Sequence, residues 1–266
     1  MTRPAIGVIG VGSLGRHHAR VVRDLDGAAS GGIFDIDGRR AEEIAQELGI
    51  DNHRSLEALL AGCQGVVVSV PTEAHEAVAM EALDRGVHVL IEKPLAPDLA
   101  SARRILKRAE DAGLLVQVGH VERFNPGILA AAPYLERPLF IESHRLAPFS
   151  PRSLDVAVVL DLMIHDVDLV HSLVGEAVTE IAATGVPVIT NHIDIANARL
   201  GFEGGAVSNL TASRISVERM RKIRVWQSSG YLSLNLATGQ GEFYRPKGGG
   251  SVLEGVLAGG PPPPTG

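Results

Sequence analysis

Four short stretches of this chain carry side chains whose types and spacing could do chemistry. The densest is Asp161-Leu162-Met163-Ile164-His165-Asp166-Val167-Asp168. At helical spacing Asp161, His165 and Asp168 share one face, because residues three and four apart are neighbours on a helix. A histidine oriented by a carboxylate one turn away can serve as a general base for a hydroxyl proton. The same pattern also fits a buried, satisfied polar cluster. His165, Asp168 and His171 could ligate a metal, but their spacing matches no metal-hydrolase motif and no metal is expected. Lys93, in Glu92-Lys93-Pro94, follows an apolar run and precedes a proline, which sets it apart from an ordinary solvated lysine. Pro71-Thr72-Glu73-Ala74-His75 and Gly119-His120-Val121-Glu122-Arg123-Phe124-Asn125-Pro126 likewise follow apolar runs.

Those runs are the elements that must position the polar groups. The apolar stretch Ala5–Ile9 leads into Gly10-Val11-Gly12-Ser13-Leu14-Gly15, a helix-like run to Leu25, a strand-like Ile33-Phe34 and then Asp35. Strand, glycines, helix, strand and acid in this order specify a dinucleotide site. Gly10 allows the tight turn, Gly12 lets the backbone approach a pyrophosphate and Gly15 lets the helix pack close to the sheet. The helix start supplies unpaired N–H groups and a positive dipole end. Asp35 would accept hydrogen bonds from the ribose hydroxyls and repel a 2′-phosphate, favouring NAD over NADP, with Arg39 and Arg40 softening that preference.

Further strands are expected at Gly65–Val70, Val87–Ile91 and Leu114–Val118. Helices are expected at Arg39–Leu48, around Leu56–Leu60, over Ala74–Arg85, and after the capping Asp98 with Leu99, Ala102, Ile105, Leu106 and Ala109 inward. Such alternation gives a doubly wound parallel sheet of the Rossmann type. The ligand-bearing ends of its strands are the carboxyl ends, where the loops above lie.

After Gly119 the pattern changes to a strand at Leu139–Ile141, a helix over 155–173 and then five strand-like runs without helices between them, from Thr179 to Leu236. This predicts an α+β domain with a mostly antiparallel sheet. The expected division is residues 1–122, 123–246 and a flexible tail at 247–266, rich in glycine and proline. The basic set Arg214, Arg219, Arg221, Lys222 and Arg224 suits either a diphosphate-bearing substrate or a solvated strand edge.

A formal charge of -6 argues against a nucleic-acid partner. The single cysteine, Cys63, permits no internal disulfide and reads as a buried small residue in a reducing compartment. No apolar stretch approaches the ~20 residues of a membrane span, and no leader is read at the N-terminus; a soluble, cytoplasmic protein is the expectation.

The glycine loop, Pro71-Thr72 with His75, Glu92-Lys93-Pro94, and Asp161 with His165 together resemble the Gfo/Idh/MocA family over residues 4–245. The resemblance implies an NAD-dependent oxidoreductase, with NADP as a second possibility. In it Lys93 contacts the reacting hydroxyl, His165 is the acid/base and Asp161 positions substrate or His165. It implies cofactor contacts from Gly10, Gly12, Ser13, Leu14, Gly15, Asp35 and Arg40, and from Val70, Pro71, Thr72, His75, Glu92 and Lys93. It implies substrate contacts from His120, Arg123, Asn125, Arg145 and Asp168. Pro94 resembles the family's frequently cis proline.

The Gly119–Pro126 stretch, Glu142-Ser143-His144-Arg145 and Leu162–Asp166 are similar to a subgroup acting on nucleotide sugars. Its best-known activity is oxidation of UDP-N-acetylglucosamine at the 3-hydroxyl, which feeds lipid A synthesis. An inositol or free-polyol dehydrogenase and a catalytically silent NAD-binding regulator are the alternatives. A homodimer or homotetramer is expected, since an open sheet needs a covering partner. The likeness departs at Asp155-Val156-Ala157, where many members are glycine-rich. It departs again after the sheet, where the family's further helical segment has no counterpart and a truncated or frame-shifted copy is the reading.

Overall fold

Short β-branched runs punctuated by glycine form the strands of the first half of the chain, and alanine- and leucine-bearing amphipathic segments form its helices. The computed structural model describes residues 3–150 and 156–245. Asp155 and the tail at 247–266 therefore lie outside the described residues. The chain divides into two compact units, Met1–His120 and Val121–Gly266.

In the first unit the strands β1 (Ala5–Ile9), β2 (Ala29–Phe34), β3 (Gly65–Val68), β4 (His88–Ile91) and β5 (Val116–Val118) form one parallel sheet in the order β2-β1-β3-β4-β5. Helices α1 (Ser13–Asp24), α2 (Gly38–Leu48), α3 (Leu56–Leu60), α4 (His75–Asp84) and α5 (Leu99–Ala112) cover it. Alternation along the strands divides the core in two. Val8, Ile33 and Val67 pack with Ala19, Val22, Ala41 and Ala45. Ile9, Val66, Val68 and Ile91 pack with Leu59, Ala79, Leu83 and Ile105. This is a doubly wound sandwich. Asp98 caps α5 through the Ser101 N–H, but the inward stripe is Ser101, Ile105 and Ala109. Leu99 and Leu106, expected inside, are exposed. Cys63 is buried.

The second unit holds α6 (Pro126–Ala131), β6 (Phe140–Leu146), α7 (Ile164–Val174), β7 (Val178–Val186), β8 (Ile195–Phe202), β9 (Val207–Ser213), β10 (Met220–Gln227), β11 (Gly230–Asn235) and β12 (Gln240–Tyr244). The seven strands lie in the order β12-β11-β10-β6-β9-β8-β7. All pairs are antiparallel except β6 with β9. One face carries Ile141, Leu210, Ile223 and Leu232 against Ile128, Met163, Leu169 and Val170. Alternate residues on the other face include Phe140 and Trp226, whose rings meet edge to face at 5.4 Å. The long helix expected over 155–173 is observed as two windings: Val159–Met163 is a π-helix and α7 continues it. Among the described residues no helix is long and apolar enough to cross a membrane.

The loop between β7 and β8 closes on a buried carboxylate. Asp194 Oδ2 accepts the N–H groups of Val188 at 2.9 Å, Ile189 at 2.7 Å and Thr190 at 2.9 Å. These bonds, that from Thr190 foremost, outweigh the cost of burial and hold the carboxyl far below the ordinary aspartate range. A carboxyl depressed in the folded state adds stability above its unfolded pKa of about 3.9, and that stability is lost as pH falls toward the folded value. Asp194→Asn is therefore expected to lower Tm at neutral pH and to shrink the drop in Tm between about pH 7 and pH 3, read by thermal melts of both proteins.

Candidate active site

The first unit gathers its polar loops along the carboxyl edge of the sheet. Gly10, at φ +82°, turns the chain out of β1, and α1 opens behind it with Gly12 at its N-cap and no side chain capping it. A Cβ on Gly15 would sit 1.8 Å from the Gly10 carbonyl oxygen, so only glycine lets the helix start this close to the strand end. A Cβ on Gly12 would meet nothing within 4 Å. The backbone there borders open space, and the α1 N–H groups of Ser13, Leu14 and Gly15 lie beside it. Asp35, buried just beyond β2, accepts Val11 N–H at 2.7 Å and Asp37 N–H at 2.8 Å. Arg40 approaches the same carboxylate to 3.7 Å. A glycine cradle, an uncapped helix start and a fixed acid at the second strand fit a dinucleotide.

Val70, Pro71 and Thr72 follow β3, Glu92 and Lys93 follow β4, and His120 follows β5. Because β1, β3, β4 and β5 are adjacent in that order, these loops are neighbours on one edge. Lys93 is half-buried and joined to Pro94 by a cis peptide bond. Glu92 is buried, with Oε1 accepting from His18 Nε2 at 2.6 Å and Oε2 accepting from the Lys93 N–H at 3.1 Å. Burial alone pushes its carboxyl up, but His18, the Lys93 N–H and the Lys93 charge outweigh that and hold it below the usual glutamate range.

In the second unit Asp161 lies in the π-wound segment, and His165 and Asp168 lie in α7. The α-helical spacing that places three groups on one face thus applies from His165 to Asp168. Asp161 lies just before that helix, where the winding is i→i+5. Asp161, His165 and Asp168 are all half-buried. Asp168 accepts both prongs of the Arg123 guanidinium, with Nε at 2.7 Å and Nη2 at 2.5 Å.

Residues 5–120 match the model of the GFO_IDH_MocA oxidoreductase family with an NAD-binding Rossmann fold, and residues 138–233 match the GFO/IDH/MocA C-terminal domain. The chain is 39% identical over 92% of its length to UDP-N-acetylglucosamine 3-dehydrogenase of Acidithiobacillus ferrooxidans, covering 78% of that protein. The chain belongs to the Gfo/Idh/MocA family. A solved structure of the Acidithiobacillus ferrooxidans enzyme superposes with a TM-score of 0.87 at 38% identity, covering 92% of this chain and 80% of that one. The scyllo-inositol 2-dehydrogenase (NAD(+)) of Bacillus subtilis is 28% identical, over 79% of this chain and 67% of that protein. The first unit of this Gfo/Idh/MocA chain is therefore an NAD-binding Rossmann domain.

Three residues expected at the ligand have hydrogen-bond partners within the protein. His75 is 1% exposed, with Nδ1 2.9 Å from the Pro94 carbonyl and Nε2 3.0 Å from the Val70 carbonyl. A neutral imidazole can donate to only one of these oxygens at a time. Either way the ring bridges two loops. Asn125 is the N-cap of α6: Oδ1 accepts the Gly127 N–H, and Nδ2 donates to the Leu236 carbonyl and to Glu122. Arg145 is buried in β6, donating to Asp166 at 2.7 and 3.2 Å and to Glu122 at 3.0 Å. Burial pushes its guanidinium down, but Asp166 and Glu122 outweigh that and raise it. It anchors α7 to the sheet. Of the basic set, Arg214 is buried and donates to the Val156 carbonyl, and Arg224 pairs with Glu142.

His18 was missed as a site residue. It sits on the face of α1 that carries Gly15, Ala19 and Val22, all buried. A polar side chain on an apolar stripe is the signal that marks it.

Proposed function

We propose that this protein is an NAD-dependent dehydrogenase of a nucleotide sugar, oxidising UDP-N-acetylglucosamine at its 3-hydroxyl. The observation that carries this reading is the 39% identity over 92% of the chain to an enzyme of that name. The match spans the stretches that hold Lys93, Asp161 and His165. Asp35, a buried carboxylate at the end of β2, supports NAD over NADP.

NAD, when bound, supplies the hydride acceptor. His165 takes the proton of the hydroxyl as its carbon is oxidised. Lys93 stabilises the developing alkoxide with its ammonium group. Asp161 orients His165 or the sugar, and Arg123 with Asp168 borders the substrate. A second copy of the chain covers the aromatic open face of the second sheet, giving a homodimer or homotetramer. The enzyme works in the cytoplasm, in the supply of amino sugar for lipid A.

Incubation with NAD and a panel of sugars, read by the absorbance of reduced nicotinamide, tests the reading. UDP-N-acetylglucosamine is expected to turn over at least about 100-fold faster than myo-inositol. The reverse order moves the substrate to a free polyol. Tight NAD binding with no turnover of any sugar marks a sensor.

A further inference from the structure

We propose that Glu92 and His18 form a bracket that positions Lys93, tying the turn after β4 to the helix that opens at the glycine loop. This rests on the assignment of Lys93 to the reacting hydroxyl.

A glutamate at the end of a strand would ordinarily extend into water, because burying a carboxylate is costly unless it is paired. Glu92 is 8% exposed and has both oxygens engaged within the unit. Its backbone N–H continues the ladder to the Val68 carbonyl at 3.0 Å, so the residue is fixed to the sheet before its side chain acts. One carboxylate oxygen takes the His18 Nε2–H at 2.6 Å and the other takes the N–H of Lys93 itself at 3.1 Å. The lane for this carboxylate exists because residue 119, at the end of the neighbouring β5, is glycine. A Cβ there would lie 3.0 Å from Glu92 Oε2 and 3.1 Å from Oε1.

The other side of the turn is held too, since the Pro94 carbonyl lies 2.9 Å from His75 Nδ1. Lys93 thus stands between two residues whose polar atoms are each tied to a histidine, one on α1 and one on α4. His18 lies on the same stripe of α1 as Gly15, the residue in closest approach to the glycine turn. The helix start that fits the pyrophosphate and the lysine assigned to the hydroxyl are therefore linked by one side-chain pair. A carboxylate that only stabilised the sheet would have no need to bind the backbone of the very residue that follows it.

Amide hydrogen exchange of the full chain, read by mass spectrometry without ligands, tests the bracket independently of turnover. Glu92→Ala is expected to speed exchange in the peptide covering residues 91–96 by about tenfold while peptides from β1 and β3 keep their wild-type rates. Glu92→Gln keeps an oxygen for the Lys93 N–H and a donor for His18, so it recovers at least half of that protection. His18→Leu gives the same local loss and serves if Glu92→Ala does not fold. With the substrate that wild type turns over, Glu92→Ala lowers kcat about 30-fold.

Wild-type exchange and kcat in Glu92→Ala overturn the proposal. So does exchange that rises evenly across the first unit in step with a lower Tm, which marks sheet stabilisation alone. Wild type without turnover of any sugar removes the reading of Lys93 as a substrate contact. The exchange result then decides the bracket by itself.

Discussion

Lys93→Met is expected to lower kcat by about 10²–10³-fold, the effect of removing one preorganised group that stabilises a developing oxyanion. Methionine keeps the apolar stem and removes only the ammonium, so the half-buried turn retains its packing. The dissociation constant for NAD should change less than about threefold, because the glycine cradle and Asp35 sit on other strands. His165→Ala should cost a similar factor. The double variant should lose less than the product of the two, since groups that act on one proton transfer are not additive. Steady-state rates with calorimetric NAD binding give all of these values. A solvated lysine with no part in the reaction would leave kcat of Lys93→Met within about twofold of wild type, and that result would remove Lys93 from the mechanism.

The Rossmann half was legible because its signals are local. Gly65–Val68 is an unbroken apolar run, Asp98 is a capping residue in the right place, Gly10 takes a positive φ at the turn and Gly15 is required by the Gly10 carbonyl five residues before it. What failed there was the side of a helix. Leu99 and Leu106 fit an apolar stripe, yet α5 meets the sheet through Ser101, Ile105 and Ala109, a choice made by tertiary packing. In the second unit β6 runs to Leu146, beyond the expected Ile141. Glu142-Ser143-His144-Arg145 hides the strand, because two of its polar residues, Ser143 and Arg145, point into the protein. The site shows the same limit from the other side. Residue type told that His75, Asn125 and Arg145 carry donors, but not that carbonyls and carboxylates elsewhere in the fold already accept from them. Asp161 and His165 were visible as types, whereas the π-winding on which Asp161 lies is not written in any spacing rule.

The second large effect concerns Arg145, and it separates a buried anchor from a substrate contact. The side chains of Arg145, Glu122 and Asp166 are 4%, 10% and 3% exposed. Ser143 adds a bond of 2.9 Å from its hydroxyl to Asp166. Arg145→Met fills similar space but leaves buried Asp166 without its cation and Glu122 with only Arg221 at 3.9 Å, which costs about 3–5 kcal/mol. That corresponds to a fall in Tm of roughly 10 °C for a unit of this size. Replacing the whole set, as in Arg145→Met/Glu122→Met/Asp166→Leu, removes the uncompensated charges and should recover more than half of the loss, because buried ion pairs contribute little net stability against apolar groups of like volume. Thermal melts of the single and triple variants decide it. If Arg145 instead faced the sugar nucleotide, Arg145→Met would melt within about 2 °C of wild type and raise the substrate KM at least about tenfold. The anchor predicts the opposite pattern: at a temperature where the variant is folded, KM stays near the wild-type value while the melting temperature falls.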